Sequence, residues 1–147
     1  MILVDTNVLL RRIQTAHPQY AAARAALTAL RQQGETLCIT PQNLVEFWSV
    51  ATRPREVNGL GMAPTEVDRE VGALEQLFQL LPETPQIYHE WRRLVMAHSV
   101  SGRQVHDARL AAVMLAHRVS NILTFNVDDF QRYGGITTVD PTSMAAT

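Results

Sequence analysis

The hydrophobic pattern of the chain switches between two periods. Met1-Ile2-Leu3-Val4 is a continuous apolar run rich in branched side chains, and a run that short predicts a strand covered on both faces of a parallel sheet. Residues 36–40, 121–125 and a segment near 137–139 are runs of the same kind. Between them the pattern is helical. Pro18 opens an Ala-rich helix that reaches Gln33, with Gly34 in the position that stops one. Thr40-Pro41 supplies a capping hydroxyl and a first-turn proline to a helix whose stripe is Leu44, Phe47, Trp48 and Ala51, and Arg53-Pro54-Arg55 ends it. Further helices are predicted over 65–80, with Thr65 and Asp68 as a capping box and Val67, Val71, Leu74 and Phe78 on one face, and over 85–98 and 107–119. Residues 56–63, holding Gly59 and Gly61, predict a mobile loop. Strands alternating with helices predict an α/β fold, a mostly parallel sheet with helices on both faces, in a single domain over 1–147.

Composition narrows the chemistry. A chain of 147 residues with 46% hydrophobic content suits one core. The formal net charge of −1 excludes a broadly basic coat, so nucleic-acid contacts must come from local arginine clusters, of which Arg11-Arg12 and Arg53-Pro54-Arg55 are candidates. All 13 basic residues are Arg, which removes a P-loop lysine and a Schiff base. Cys38, the one cysteine, sits in an apolar run and reads as a reduced core residue. There is no basic leader and no uncharged run of the roughly 20 residues that span a membrane, so a cytoplasmic protein is expected.

The acids carry the chemistry. Asp5 ends the first strand, and the carboxyl end of a strand is where open α/β sheets place ligands. Asn126, Asp128 and Asp129 follow another strand, and Glu46 lies in the second turn of the helix after residues 36–40. Asp107 stands three and four residues before Leu110 and Ala111, which puts it on the apolar face of its own helix, pointing inward. Each acid also has a structural reading, as a helix cap, a surface group or part of a turn. Gathered at one edge, however, carboxylates repel unless a cation lies between them. Oxygen donors without Cys or His at ligand spacing select Mg²⁺ or Mn²⁺, and such an ion with open positions serves phosphodiester hydrolysis. The five histidines form no ligand set, and His106, beside Asp107, is left outside the site.

The opening Met1-Ile2-Leu3-Val4-Asp5-Thr6-Asn7, Glu46, His106-Asp107-Ala108-Arg109-Leu110-Ala111-Ala112 and Leu123-Thr124-Phe125-Asn126-Val127-Asp128-Asp129-Phe130 together resemble the PIN-domain nucleases. In size and layout the chain is similar to the VapC-type toxins of bacterial toxin-antitoxin pairs. The resemblance implies a Mg²⁺- or Mn²⁺-dependent endoribonuclease, restrained by a cognate antitoxin and forming a homodimer. It implies Asp5, Glu46 and Asp107 as metal-binding acids, Thr6 as the hydroxyl that braces the first of them, and Asn126 at the fourth, normally acidic, catalytic position. That asparagine departs from the family pattern and leaves a second metal site dependent on Asp128 or Asp129. An adjustable apolar groove between the helices flanking residues 54–63 is the expected seat of an antitoxin segment.

Two other classes stay open. A haloacid-dehalogenase-like phosphohydrolase also begins with an Asp at the end of the first strand, but needs a second Asp where this chain has Asn7. A non-catalytic acid-lined binding domain is the other.

Overall fold

A computed structural model describes residues 1–145 of the chain. The elements run β1 (Ile2–Val4), α1 (Thr6–Arg11), α2 (Tyr20–Gln32), β2 (Leu37–Ile39), α3 (Pro41–Thr52), α4 (Pro64–Leu77), β3 (Gln79–Leu80), α5 (Pro85–Ala97), α6 (Gln104–Ala116), β4 (Asn121–Leu123), β5 (Thr137–Val139) and α7 (Pro141–Ala145). Short 3₁₀ turns at Arg55–Val57 and Val127–Phe130 follow α3 and β4. The strands form one sheet in the order β3-β2-β1-β4-β5, every neighbouring pair parallel.

That order fixes where a ligand can enter. The chain leaves β1 toward β2 on one side, later crosses back, and lays β4 on the other side of β1. The connections therefore part at the carboxyl ends of β1 and β4, and a crevice opens there. The crossovers also divide the core, because successive strand residues face opposite ways. Ile2, Val4, Leu37, Ile39 and Leu123 pack under α1 to α4, whereas Leu3, Cys38 and Ile122 pack under α5 and α6. Each wholly buried aliphatic or aromatic side chain contributes about 1.5–3 kcal/mol, and Phe47, Leu74, Ile87 and Phe130 are among them.

Several predicted boundaries shift, each for a local reason. Gly34 sits at φ 83° beyond the end of α2, and Thr40 caps α3 in a reciprocal box with Asn43, as the sequence signals imply. The helix after the loop starts at Pro64, and its cap is the Glu66 carboxylate accepting the Ala63 amide at 3.1 Å; the Thr65–Asp68 box does not form. It ends at Leu77, so that Gln79 and Leu80 can pair with β2 as an edge strand. The helix predicted over 107–119 begins at Gln104, which moves Asp107 from a cap position into its first turn. The helix α7, which packs on α2, has no counterpart in the sequence reading.

The 56–63 segment is not loose. Leu60, Gly61 and Met62 donate backbone amides to the carbonyls of Val50, Arg53 and Ala51, so the segment is pinned to the last turn of α3. Gly59 faces the Arg53 carbonyl so closely that a Cβ would collide with it. Gly59→Ala is accordingly expected to destabilise the protein by about 1–3 kcal/mol, read as a lower urea midpoint at unchanged slope.

Candidate active site

The site is built on two helix starts and two strand ends. Asp5 is the N-cap of α1, its Oδ1 accepting the Thr6 amide at 2.8 Å. Its Oδ2 accepts the Thr124 hydroxyl at 2.8 Å and the Asn7 side-chain amide at 3.4 Å. Asn7 also donates to Thr124 Oγ1 and accepts the Phe125 amide. The Asp5 amide itself donates to the Leu123 carbonyl. These bonds tie the end of β1 to the end of β4 at the crevice, across 119 residues of sequence.

Glu46 is held from two directions. Thr6 Oγ1 donates to its Oε2 at 2.9 Å, and Gln42 donates to its Oε1 at 3.0 Å. Thr6 Oγ1 in turn accepts from Asn43, a wholly buried amide whose Oδ1 takes the Thr40 amide and hydroxyl. One chain of hydrogen bonds thus runs from the cap of α3 through Thr6 to the carboxylate. Gln42 continues outward to the His106 carbonyl and accepts from Arg109, which pairs with Glu83 at 2.7 Å. Through that bridge α3 holds the start of α6, the segment that carries Asp107.

Asp107 differs from both. It is half-buried and accepts no hydrogen bond from any described residue. Its helix runs antiparallel to β4, so its first turn lies at the carboxyl edge of the sheet, opposite Asp5. Burial pushes the Asp107 carboxyl up to about 7, and the charges of Asp129, Asp5 and Glu46 push it the same way, with Arg132 opposing. Burial also raises Asp5 to about 6; its bonds from Thr124 and Thr6 counter this, while Glu46 and Asp129 add to it.

The structure therefore brings Asp5, Glu46, Asp107 and Asp129 into one electrostatic group. Asn126 flanks it: its side chain is exposed and makes no hydrogen bond to the acids, while its amide donates to Thr124 Oγ1 at 3.0 Å. Asp128 is exposed as well. Sequence reasoning gave Asp129 only a secondary place and missed Asn43, Gln42 and Thr124. A hydroxyl directly after a buried strand run, and an amide three residues after a capping Thr, were the available signals.

Among the described residues no three Asp, Glu, His or Cys side chains stand close enough to chelate one ion together. The donor set nonetheless fits a hydrated divalent cation, which is held by one or two carboxylates and keeps several waters. All the candidate donors are oxygens, and two of the acids stand well above their ordinary range in a cluster with one opposing cation. No helix among the described residues is long and apolar enough to cross a membrane.

Comparison with known proteins agrees in family, length and fold. The profile of the PIN domain matches residues 2–136. Ribonuclease VapC24 of Mycobacterium tuberculosis is 27% identical over 147 residues, covering 96% of this chain and 97% of its own. Among solved structures, VapBC-1 from nontypeable Haemophilus influenzae superposes with a TM-score of 0.71 at 18% identity, over 97% of this chain and 99% of that one. VapBC2 from Rickettsia felis, bound to a DNA fragment from its promoter, gives 0.70 at 14% identity, over 95% and 98%.

Proposed function

The chain belongs to the PIN domain family, and from that premise we propose that it is a divalent-metal-dependent endoribonuclease, the toxin of a toxin-antitoxin pair. The observation that carries the reading is the group of Asp5, Glu46, Asp107 and Asp129 at the crevice between β1 and β4, with Asp107 left free of hydrogen bonds. A Mg²⁺ or Mn²⁺ ion bound there supplies phosphate polarisation and water activation. Asp5 and Asp107 are the acids assigned to hold it, with Glu46 close by.

The protein's own contribution is placement. Asp5 cannot swing away, because both oxygens are engaged by α1 and β4. Glu46 is fixed in direction by Thr6 and Gln42, which leaves its remaining lone pairs for water or ligand. Asp107 contributes an oxygen pair to which no described residue donates a hydrogen bond. In hydrolysis the water oxygen bonds to phosphorus as its proton passes to a neighbouring carboxylate, the ester P–O bond breaks, and the departing oxygen takes up a proton.

The phosphohydrolase alternative fits less well. Asn7, at the position of the required second acid, spends its side chain joining β1 to β4.

For the partner, Leu44, Val45, Trp48 and Val71 line an open apolar groove of about 360 Å³ between α3 and α4, with Val45 69% exposed. An amphipathic segment of an antitoxin is assigned to it, since the Haemophilus influenzae and Rickettsia felis relatives are VapBC assemblies. A homodimer, cytoplasmic location and one domain over the whole chain complete the proposal. The test is cleavage of single-stranded RNA by purified protein in Mg²⁺, in Mn²⁺ and in EDTA. Cleavage in metal that stops in EDTA is expected, and full cleavage in EDTA would reject the reading.

A further inference from the structure

Three arginines gather at a place separate from the acid cluster. Arg12, at the end of α1, and Arg24 and Arg31, two turns apart on α2, line one cavity of about 170 Å³ together with Leu27, Thr28 and Leu77. Arg31 lies in the last turn of α2, which leads into β2, and Leu77 ends α4, which leads into β3. The cavity is therefore at the amino edge of the sheet, opposite the crevice.

These guanidiniums are underused. Each carries five N–H donors. Among the described residues the only hydrogen bond any of the three donates is from Arg31 to the Leu77 carbonyl, at 3.2 Å. The counter-charge is a single carboxylate, Glu70, at 3.9 Å from Arg12, and the Arg12 nitrogen that faces it is sealed from solvent with no hydrogen-bond partner. Burial lowers Arg12 and Arg31 from their ordinary range, and the neighbouring arginine charges lower them further. Two of the groups are held in orientation, Arg31 over Phe78 at 5.0 Å and Arg24 over Tyr20 at 5.9 Å. The buried, unpartnered Arg12 nitrogen and two further guanidiniums around one cavity suit an anion.

We propose that Arg12, Arg24 and Arg31 form a phosphate-binding site at the amino edge of the sheet, separate from the acid cluster. A carboxylate occupies one guanidinium fork, whereas a tetrahedral phosphate or a pyrophosphate presents oxygens to several forks at once and carries the charge to offset three cations. The Thr28 hydroxyl adds a neutral donor, and Leu27 and Leu77 close the apolar wall. The phosphate can be free or can belong to an RNA strand that extends beyond the crevice. The proposal stands independently of the nuclease reading.

The experiment is calorimetric titration of the whole chain with inorganic pyrophosphate at fixed ionic strength, on wild type, Arg24→Gln and Arg31→Gln. Arg24 and Arg31 are on the exposed face of α2, so neither change opens the core. Saturable binding weakened about tenfold or more in each variant is expected. Competition by a 5′-phosphorylated oligoribonucleotide would assign the phosphate to RNA, and its failure to compete would assign it to a free anion. Binding equal in all three proteins, binding that chloride abolishes at matched ionic strength, or tighter binding of an oligoglutamate peptide than of pyrophosphate would overturn the phosphate site.

Discussion

Asp107→Asn is expected to lower RNA cleavage by at least about 100-fold while raising the melting temperature of the metal-free protein. The two effects have one origin. Asp107 accepts no hydrogen bond from any described residue, so the amide breaks none. What it removes is a charge that burial and three neighbouring acids disfavour. Losing an electrostatic group of that kind at a reacting centre costs about 10²–10³ in rate. The gain in stability, discounted for the partial exposure of the group, is about 1–2 kcal/mol at pH 8. In a chain of this size each kcal/mol moves the melt by about 2–4 °C. Single-turnover cleavage and a thermal melt in EDTA measure both. A variant that melts lower than wild type, or that cleaves at the wild-type rate, would remove Asp107 from the site.

The second large effect is a loss of metal-free stability as pH rises from about 4 to 7. In the unfolded chain Asp titrates near 3.8, whereas the folded protein holds protons on Asp5 to about 6 and on Asp107 to about 7. Across that window the native state binds more protons than the unfolded state, so the slope of unfolding free energy with pH is negative. The stabilising contribution is complete below the unfolded value and is lost as pH rises through the folded values. For Asp5, 9% exposed, it amounts to about 2–3 kcal/mol. Urea denaturation in EDTA at intervals between about pH 4 and 7 gives the slope, and the difference between wild type and Asp107→Asn isolates that residue's share. Mg²⁺ is expected to flatten the curve, because a cation takes the place of the protons. A wild-type curve no steeper than that of Asp107→Asn would contradict the account.

Much of the fold is local and was legible. Thr40-Pro41 and Gly34 act through their own backbone geometry, so the chain around them specifies a cap and a stop without help. The strand runs were visible because parallel strands buried on both faces lose the alternation that marks a solvated sheet. The site was legible in part. Asp5 and Asp107 stood out by position, but the group they join is assembled by pairing β1 with β4, and nothing in residues 1–7 announces Thr124. Asp129 and Asn126 sit in one short turn, and only its 3₁₀ geometry directs the first inward and leaves the second exposed. The 56–63 segment misled for a related reason: two glycines read as freedom, whereas Gly59 is there for close approach to the Arg53 carbonyl.

The contrast between Asp5 and Asp107 separates two kinds of selection. Asp5 caps a helix and joins two strands, so a descendant that has given up RNA cleavage still needs an acceptor there. Among the described residues Asp107 makes no hydrogen bond, and its charge is disfavoured where it sits. Drift would erase it first. Across a lineage of such chains an aspartate at the first position reports a preserved framework, and one at the second reports a preserved reaction.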